Sequence, residues 1–404
     1  MKFSKITSCK LKTPIHCPTS KSYANRALII ASLKPERIEI NDIPESQDVH
    51  DLLSILESLK IEVIKIPSGI QIINSFPECE QNSSKPILLP GSEGGTTVRF
   101  ITPLLALGNN EYHIPLLGRM AARPMDELLL IIKGMGANIW IEDAILKIKG
   151  PISLPEELSV DCSKTTQFAT ALYNLKAKYK INIKYNNVEA SKKYLDMTES
   201  LIKHFSGSNH FIVPADFSGL GYLLAYGVLN QDLVVSNVFK MDMLQADSVL
   251  IEILKRIGAR IEFGPNGLSI FRTESKLSGF EVDGSECIDL VPTLMFIASF
   301  CDSETKLTNI KFLTHKESDR LLEMMKILDI FKIEYFYDEA GDVFTIFPLK
   351  ETLENIFKPI KITTANDHRM VMVSALYLKT LKGGSVAPME SVNKSFPNFF
   401  SLFS

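Results

Sequence analysis

The sequence predicts an α/β (α+β) fold in two domains, and three observations carry that prediction. Short strands alternate with amphipathic helices along the chain, the rhythm of α/β or α+β units. One pattern, a helix, a tight turn and a strand, occurs at "LLLIIKGMGANIWIE", again at "SVLIEILKRIGARIEFG" and in altered form at "LLEMMKILDIFKIEYF". The chain has 404 residues, more than one ordinary core fills, so echoes in both halves read as two domains built from one βαβ-type unit.

The elements follow from local pattern. "RIEIND", "IEVIKI", "IQIINS", "ANIWIE" and "AILKIKG" alternate or cluster apolar residues as strands do, while "SQDVHDLLSILESLK" and "MDELLLIIKGMG" repeat them at helical spacing. Near "FIVPADFSG" a strand gives way to proline and then to a helix-start signal, which marks a crossover between domains over Phe211 to Gly219. No low-complexity linker accompanies it, so the hinge is short.

Composition narrows the function classes. Hydrophobic residues make up 45% and charged residues 23%, the balance of a soluble enzyme and not of a disordered or coiled-coil chain. A net charge of −3 gives no reason to expect nucleic acid as partner, although a local basic pocket fits within a neutral whole. The six cysteines lack CxxC spacing, which points to a reduced, cytoplasmic protein without a zinc site. "MKFSKITSCKLKTPIHCP" has no apolar signal core and no later run reaches the length of a membrane span, so neither export nor a membrane is expected.

Several segments place charge where a fold can use it. In "CPTSKSYANRALIIASL", Lys21, Ser22 and Arg26 occupy the opening turns of a buried helix, where free N–H groups favour an anion. "GSEGGTTVRF" offers glycines for close backbone approach, Thr96 and Thr97 as donors, and Arg99 at the start of an apolar helix. "LLGRMAARPM" puts Arg119 and Arg123 in a loop, and Thr165, Thr166 and Gln167 open the helix of "DCSKTTQFATALYNL". Further on come Ser191 and Tyr194 in "EASKKY", Asp289 ahead of Pro292 in "CIDLVP", Asp367, His368 and Arg369 in "ANDHRM", and Lys394 in "NKSFP". In "HKESDRLL", helical spacing sets Lys316 and Arg320 on one face with Glu317 beside them, an anion grip next to an acid/base group. Each segment taken alone also reads as a capped helix or a solvated charged face. Together they do not, because the lysines and arginines sit beside turns and helix starts instead of out on exposed helix faces.

The segments "SKSYANRAL", "GGTTVRF", "TTQF", "SKKY", "HKESDRL", "NDHRM" and "NKSFP", in this order, closely resemble the 5-enolpyruvylshikimate-3-phosphate synthase family from about Lys12 to Pro397. The resemblance implies the two-domain enolpyruvyl transferase fold, each domain three βαβαββ units, with a ligand cleft between domains. It implies domains at 14–214 and at 1–13 with 215–404. The implied reaction moves the enolpyruvyl group of phosphoenolpyruvate to the 5-hydroxyl of shikimate 3-phosphate by addition and elimination, releasing phosphate, with no metal or organic cofactor and a monomer as the working form.

Carried over by motif, Lys21, Gly95, Arg119, Gln167, Arg320, Arg369 and Lys394 would hold phosphoenolpyruvate. Ser22, Arg26, Thr165, Thr166, Ser191 and Lys316 would hold shikimate 3-phosphate. Asp289 would accept the 5-hydroxyl proton, with Asp283 the alternative, and Glu317 would give and then remove a proton at the methylene carbon, Lys21 assisting near the phosphate. Cations around such a carboxylate lower its pKa and burial raises it. Departures from the family pattern are Glu93 in the glycine loop, Thr165 and Thr166 for two serines, Phe312 before Lys316, and Gly219 and Gly221 in "DFSGLGY". The same-fold transferase acting on a UDP-sugar is disfavoured because its Cys-bearing loop has no match, and an anion-binding protein without turnover is opposed by Glu317, Asp289 and Lys21. The family binds glyphosate in the phosphoenolpyruvate site, and Gly95 leaves the room it needs.

Overall fold

The computed structural model describes residues 2–7, 9–188, 192–350, 360–381 and 383–404. The chain gathers into two units, Thr19–Pro214 on the one hand and Met1–Pro18 with Ala215–Ser404 on the other. Among the described residues no helix is long and apolar enough to cross a membrane.

Within Thr19–Pro214 two four-stranded sheets repeat one plan. Ile38–Asn41 pairs in parallel with His210–Ile212 and antiparallel with Gly69–Ile72, whose hairpin partner Val63–Ile66 forms the far edge. Glu111–Pro115 makes the same three relationships with Ile87–Leu88, Ile145–Lys149 and Asn138–Glu142. A third, two-stranded sheet joins Glu157–Asp161 and Asn182–Asn186 in parallel. Here the following chain supplies His210–Ile212 to the first sheet instead of making a hairpin of its own. All five strand segments read from the sequence lie in these sheets, and alternation sets their inward faces: Ile38 and Ile40 are buried, as are Leu146 and Ile148.

The other unit uses the same module. Thr305–Thr308 pairs in parallel with Glu281–Asp283 and antiparallel with Val343–Ile346, which turns into Tyr335–Asp338. Leu233–Val235 joins the hairpin of Ile261–Gly264 and Gly267–Ile270, and Ile15 bridges Val235 where a parallel strand would lie. Gly384–Ala387 is flanked by Ile360–Thr363 in parallel and by Ser4–Ile6, antiparallel. The N-terminal segment is thereby tied to this unit at Ser4–Ile6, at Ile15 and through the Cys17 amide, which donates to Asn237 at 2.9 Å.

Two kinds of helix follow from two kinds of sequence. Phe217–Asn230, Val291–Ala298 and His368–Leu381 are apolar nearly all round and pack together inside one unit, as Lys21–Ala31 and Gly95–Leu105 do in the other, where Gln167–Tyr173 packs on the second of them. Gln47–Ser58, Asp126–Gly134, Val249–Arg256 and Arg320–Ile330 bury a stripe and expose the rest. These four end alike. Lys60, Gly136, Gly258 and Lys332 take left-handed backbone (φ 66°, 105°, 110° and 54°), and the next amide reaches back to Leu56, Ile132, Leu254 or Leu328. That closure turns each helix into its hairpin, and it is the recurring "helix, turn, strand" pattern in physical form. Inside each unit, the interior helices begin at the segments that carry the candidate site residues.

Candidate active site

In the Ala215–Ser404 unit, Arg320 is the centre of a charged cluster. It is almost wholly buried; its Nε donates to Asp367 Oδ2 at 2.8 Å, Nη1 to Asp289 Oδ1 at 2.9 Å and Nη2 to Glu317 Oε2 at 3.4 Å. Lys316 Nζ lies 3.2 Å from Asp289 Oδ1, and Lys394 Nζ 3.5 Å from Glu317 Oε1. Arg369 donates to the Asp289 carbonyl at 3.0 Å and to Ser218 Oγ at 3.2 Å. His368 Nδ1 stands 2.8 Å from Glu317 Oε2, and Ser318 Oγ donates to Asp367 Oδ2 at 3.0 Å.

Local sequence explains how three segments meet. Asp319 accepts from the Leu322 amide at 3.0 Å and starts the helix at Arg320, so Lys316, Glu317 and Ser318 lie in the preceding turn. This corrects the expectation that Lys316 and Arg320 share a helix face. The two cations converge instead through Asp289, which stands two residues ahead of the helix Val291–Ala298. Asp283 is elsewhere: it is exposed, caps the turn at Gly284–Cys287 through the Ser285 amide at 2.9 Å, and accepts from Asn309 at 2.9 Å.

The cations prevail over burial at both carboxylates. Burial pushes Glu317 up, yet His368, Lys394 and Arg320 hold it well below the usual carboxylate range. Burial likewise raises Asp289, and Lys316, Arg369 and Arg320 hold it well below. Asp247 goes the other way: burial pushes its carboxyl up to about 6, although Arg369 pulls down and Ser218 donates to it. Glu317, Asp367 and His368 have donor atoms within 4.8 Å of one another, a spacing that could hold a cation. Arg320 already contacts both carboxylates there, and Lys394 contacts Glu317.

In the Thr19–Pro214 unit, Lys21 Nζ donates to the buried Asp48 at 2.8 Å. Asn25 donates to Thr96 Oγ1 at 2.9 Å, joining two helix openings. Arg26 is buried between the rings of Phe100 and Tyr194, and its nitrogens reach Thr198 Oγ1 and the carbonyls of Ser22 and Tyr194. Burial pushes its pKa down to about 10. The Thr165 hydroxyl accepts from the Gln167 amide at 3.2 Å, and Thr166 is buried at the same helix start.

The helix after the glycine loop starts at Gly95, so Arg99 lies one turn inside it and not at its beginning. Of the two loop arginines, Arg119 is exposed on the turn Gly118–Ala122, whereas Arg123 covers Gly95: a methyl placed on Gly95 would stand 2.6 Å from Arg123 Nη1. Arg119 was expected with Gly95 among the residues that hold phosphoenolpyruvate, but the arginine that lies against Gly95 is Arg123, four residues further along the chain. The side chain of Glu93 lies against Gly118, within 2.8 Å of a Cβ built there. Phe312 is half-buried and packs against the core of its unit. Ser191 lies outside the described residues. Asp48, Arg99, Arg123, Asp367 and His368 join these clusters without having been assigned a role. Asp367 and His368 stood in a quoted motif, whereas Asp48 had no signal beyond an acid in a first helical turn.

The profile of the family described as EPSP synthase (3-phosphoshikimate 1-carboxyvinyltransferase) matches residues 6–209 and 206–403. The 3-phosphoshikimate 1-carboxyvinyltransferase of Clostridium acetobutylicum is 30% identical over 436 residues, covering 98% of this chain and 95% of its own. That of Clostridium beijerinckii is 28% identical over 427 residues, covering 99% and 96%. Among solved structures, EPSP synthase from Acinetobacter baumannii matches with a TM-score of 0.77 at 20% identity, over 99% of this chain and 97% of that one. The enolpyruvyl transferase NikO from Streptomyces tendae matches at 0.72 and 12% identity, over 99% and 96%. These two likenesses establish the enolpyruvyl transferase fold.

Proposed function

Since this chain belongs to the EPSP synthase family, we infer that it transfers the enolpyruvyl group of phosphoenolpyruvate to the 5-hydroxyl of shikimate 3-phosphate and releases phosphate. The observation that carries this reading is the Arg320 cluster: two ionised carboxylates, Asp289 and Glu317, share one buried guanidinium among Lys316, Arg369 and Lys394. The two substrates bring phosphates and carboxylates, and bidentate arginines and lysines suit both groups.

In this reading Asp289 accepts the proton of the 5-hydroxyl as its oxygen attacks the central carbon of phosphoenolpyruvate. Glu317 delivers a proton to the methylene carbon, giving a tetrahedral adduct. In the second step Glu317 removes a proton from the same carbon, the C–O bond to phosphate breaks, and Lys21 stabilises the departing anion. Glu317 is ionised before substrates arrive, so it must gain a proton to act as acid. Anionic substrates offset the fields of His368, Lys394 and Arg320 and so raise its proton affinity at the moment it is needed.

Lys21, Gly95, Gln167, Arg320, Arg369 and Lys394 are assigned to phosphoenolpyruvate, with Arg123 in place of Arg119 on the strength of its contact with Gly95. Ser22, Arg26, Thr165, Thr166, Ser191 and Lys316 are assigned to shikimate 3-phosphate. The units Thr19–Pro214 and Met1–Pro18 with Ala215–Ser404 are taken as the family's two domains, and the protein is taken to work as a cytoplasmic monomer without metal or organic cofactor. Calorimetric titration with shikimate 3-phosphate, followed by phosphoenolpyruvate while phosphate is recorded, tests the assignment. Binding with stoichiometric phosphate release is expected; binding without release would leave an anion-binding protein, and no binding would point to another acceptor.

A further inference from the structure

Arg99 is a buried guanidinium that pairs with no carboxylate among the described residues. Its Nη1 donates to Gln167 Oε1 at 2.8 Å and its Nη2 to the carbonyl of Pro124 at 2.6 Å, and its carbon lies 5.4 Å from the centre of the Phe168 ring. Among the described residues neither Arg99 nor Arg123 forms an ion pair, and the Nε of each is a buried donor without a partner. Glu127, the acid that acts on Arg99, is paired with Lys164 at 2.6 Å. Burial first, and then the charge of Arg123, hold Arg99 well below the ordinary arginine range.

A guanidinium can only donate, so the atom of Gln167 facing Arg99 must be the carbonyl oxygen. The NH₂ group of that carboxamide is then turned away from Arg99 and offered as a donor. The bond to Pro124 fixes, in the same way, the backbone one residue beyond Arg123, the arginine that covers Gly95. One buried side chain thus sets the polarity of one donor and the anchorage of another.

We propose that Arg99 is a positioning residue: it touches no substrate, but orients the Gln167 carboxamide and anchors Arg123 so that both present donors to the carboxylate or phosphate of phosphoenolpyruvate. The proposal rests on the reaction inferred above and deepens it. Gln167 alone would rotate between two near-isosteric orientations, one of which points its oxygen lone pairs at an anion. Arg99 removes that second orientation.

The test is a double-mutant cycle of Arg99→Met, Gln167→Met and the double variant, read as KM for phosphoenolpyruvate, kcat and the Kd of shikimate 3-phosphate. Each single change is expected to raise KM for phosphoenolpyruvate about tenfold with a smaller fall in kcat, to leave the shikimate 3-phosphate Kd within about twofold, and to combine without multiplying. Arg99→Lys, which keeps charge and a donor, recovers part of the loss and serves in place of Arg99→Met should that variant not fold. Multiplying effects, or an unchanged KM, would overturn the proposal. A second readout needs no turnover: the side-chain amide resonance of Gln167, assigned by its loss in Gln167→Met, shifts and broadens in the Arg99 variant. If the wild type releases no phosphate the inferred reaction fails, and that resonance still decides: unchanged, it removes the role of Arg99.

Discussion

His368 Nδ1 and Glu317 Oε2 are 2.8 Å apart, and that separation makes the imidazole the strongest of the charges that hold Glu317 ionised. The helix His368–Leu381 begins at this histidine, so its place is set by backbone and not by a mobile side-chain tip. Glu317→Gln is expected to keep substrate binding and lower kcat by roughly two or more orders of magnitude, the loss typical of a general acid/base. His368→Gln removes a lowering influence, so Glu317 keeps the proton it must deliver to higher pH and the alkaline limb of the kcat profile should move upward. Steady-state kinetics between pH 5 and 9 measure both; undiminished turnover in Glu317→Gln would remove its role.

Asp289 and Asp283 make a clean pair for comparison. Asp289→Asn leaves Lys316 and Arg320 without their shared carboxylate and removes the proton acceptor, so kcat should fall by about 10²-fold or more. Asp283→Ala removes a turn cap and should lower stability by about 0.5–2 kcal/mol with turnover nearly intact. Phosphate-release rates and urea midpoints for the two variants decide, and the reverse pattern would transfer the base to Asp283.

Residues in both units show how far sequence carries. A module of helix, turn and strand is local, and the hydrophobic periods of 3.6 and 2 revealed it wherever it was strongly written. The capping signal of Asp319 was equally local, but the four-residue spacing of Lys316 and Arg320 suggested a continuous helix across it. Position along the chain could not choose between Arg119 and Arg123, since both occupy one loop and only its return to Gly95 separates them. Asp48 pairs with Lys21 across 27 residues, a contact for which neither residue's neighbours hold any sign. Local propensity thus reported the elements, and the pairings that build the charged clusters depended on how those elements pack.

Lys60 and Lys332 occupy, at the ends of two equivalent helices, the left-handed position that Gly136 and Gly258 fill in the other two. A side chain there is strained by about 1–2 kcal/mol, and glycine relieves it while loosening the unfolded chain. Lys60→Gly and Lys332→Gly should each stabilise the protein by about 0.5–1 kcal/mol, and Gly136→Ala should destabilise it by a similar amount. Urea denaturation resolves such differences. A loss of stability in both lysine variants would mean that their side chains contribute more than the backbone strain removes.

Asp247 gives the pH dependence an unusual sign. Burial pushes its carboxyl up to about 6 from the ordinary 3.8, with Arg369 opposing. Between those two values the folded protein holds a proton that the unfolded chain has released, so this group's contribution to stability falls as pH rises through the window and stays lost above it. Glu317 and Asp289, held low, behave oppositely: their contribution is present above the unfolded carboxylate range and is lost on acidification. Asp247→Asn removes the buried charge while keeping an acceptor for Ser218, and should raise stability at pH 7.5 by about 1–2 kcal/mol. At pH 4 the aspartate is already protonated in the folded state, and the gain should vanish. Melting temperatures of the two proteins across that range therefore converge on acidification; a constant difference would mean that the charge on Asp247 is stabilised by Arg369 as fully as it would be by water.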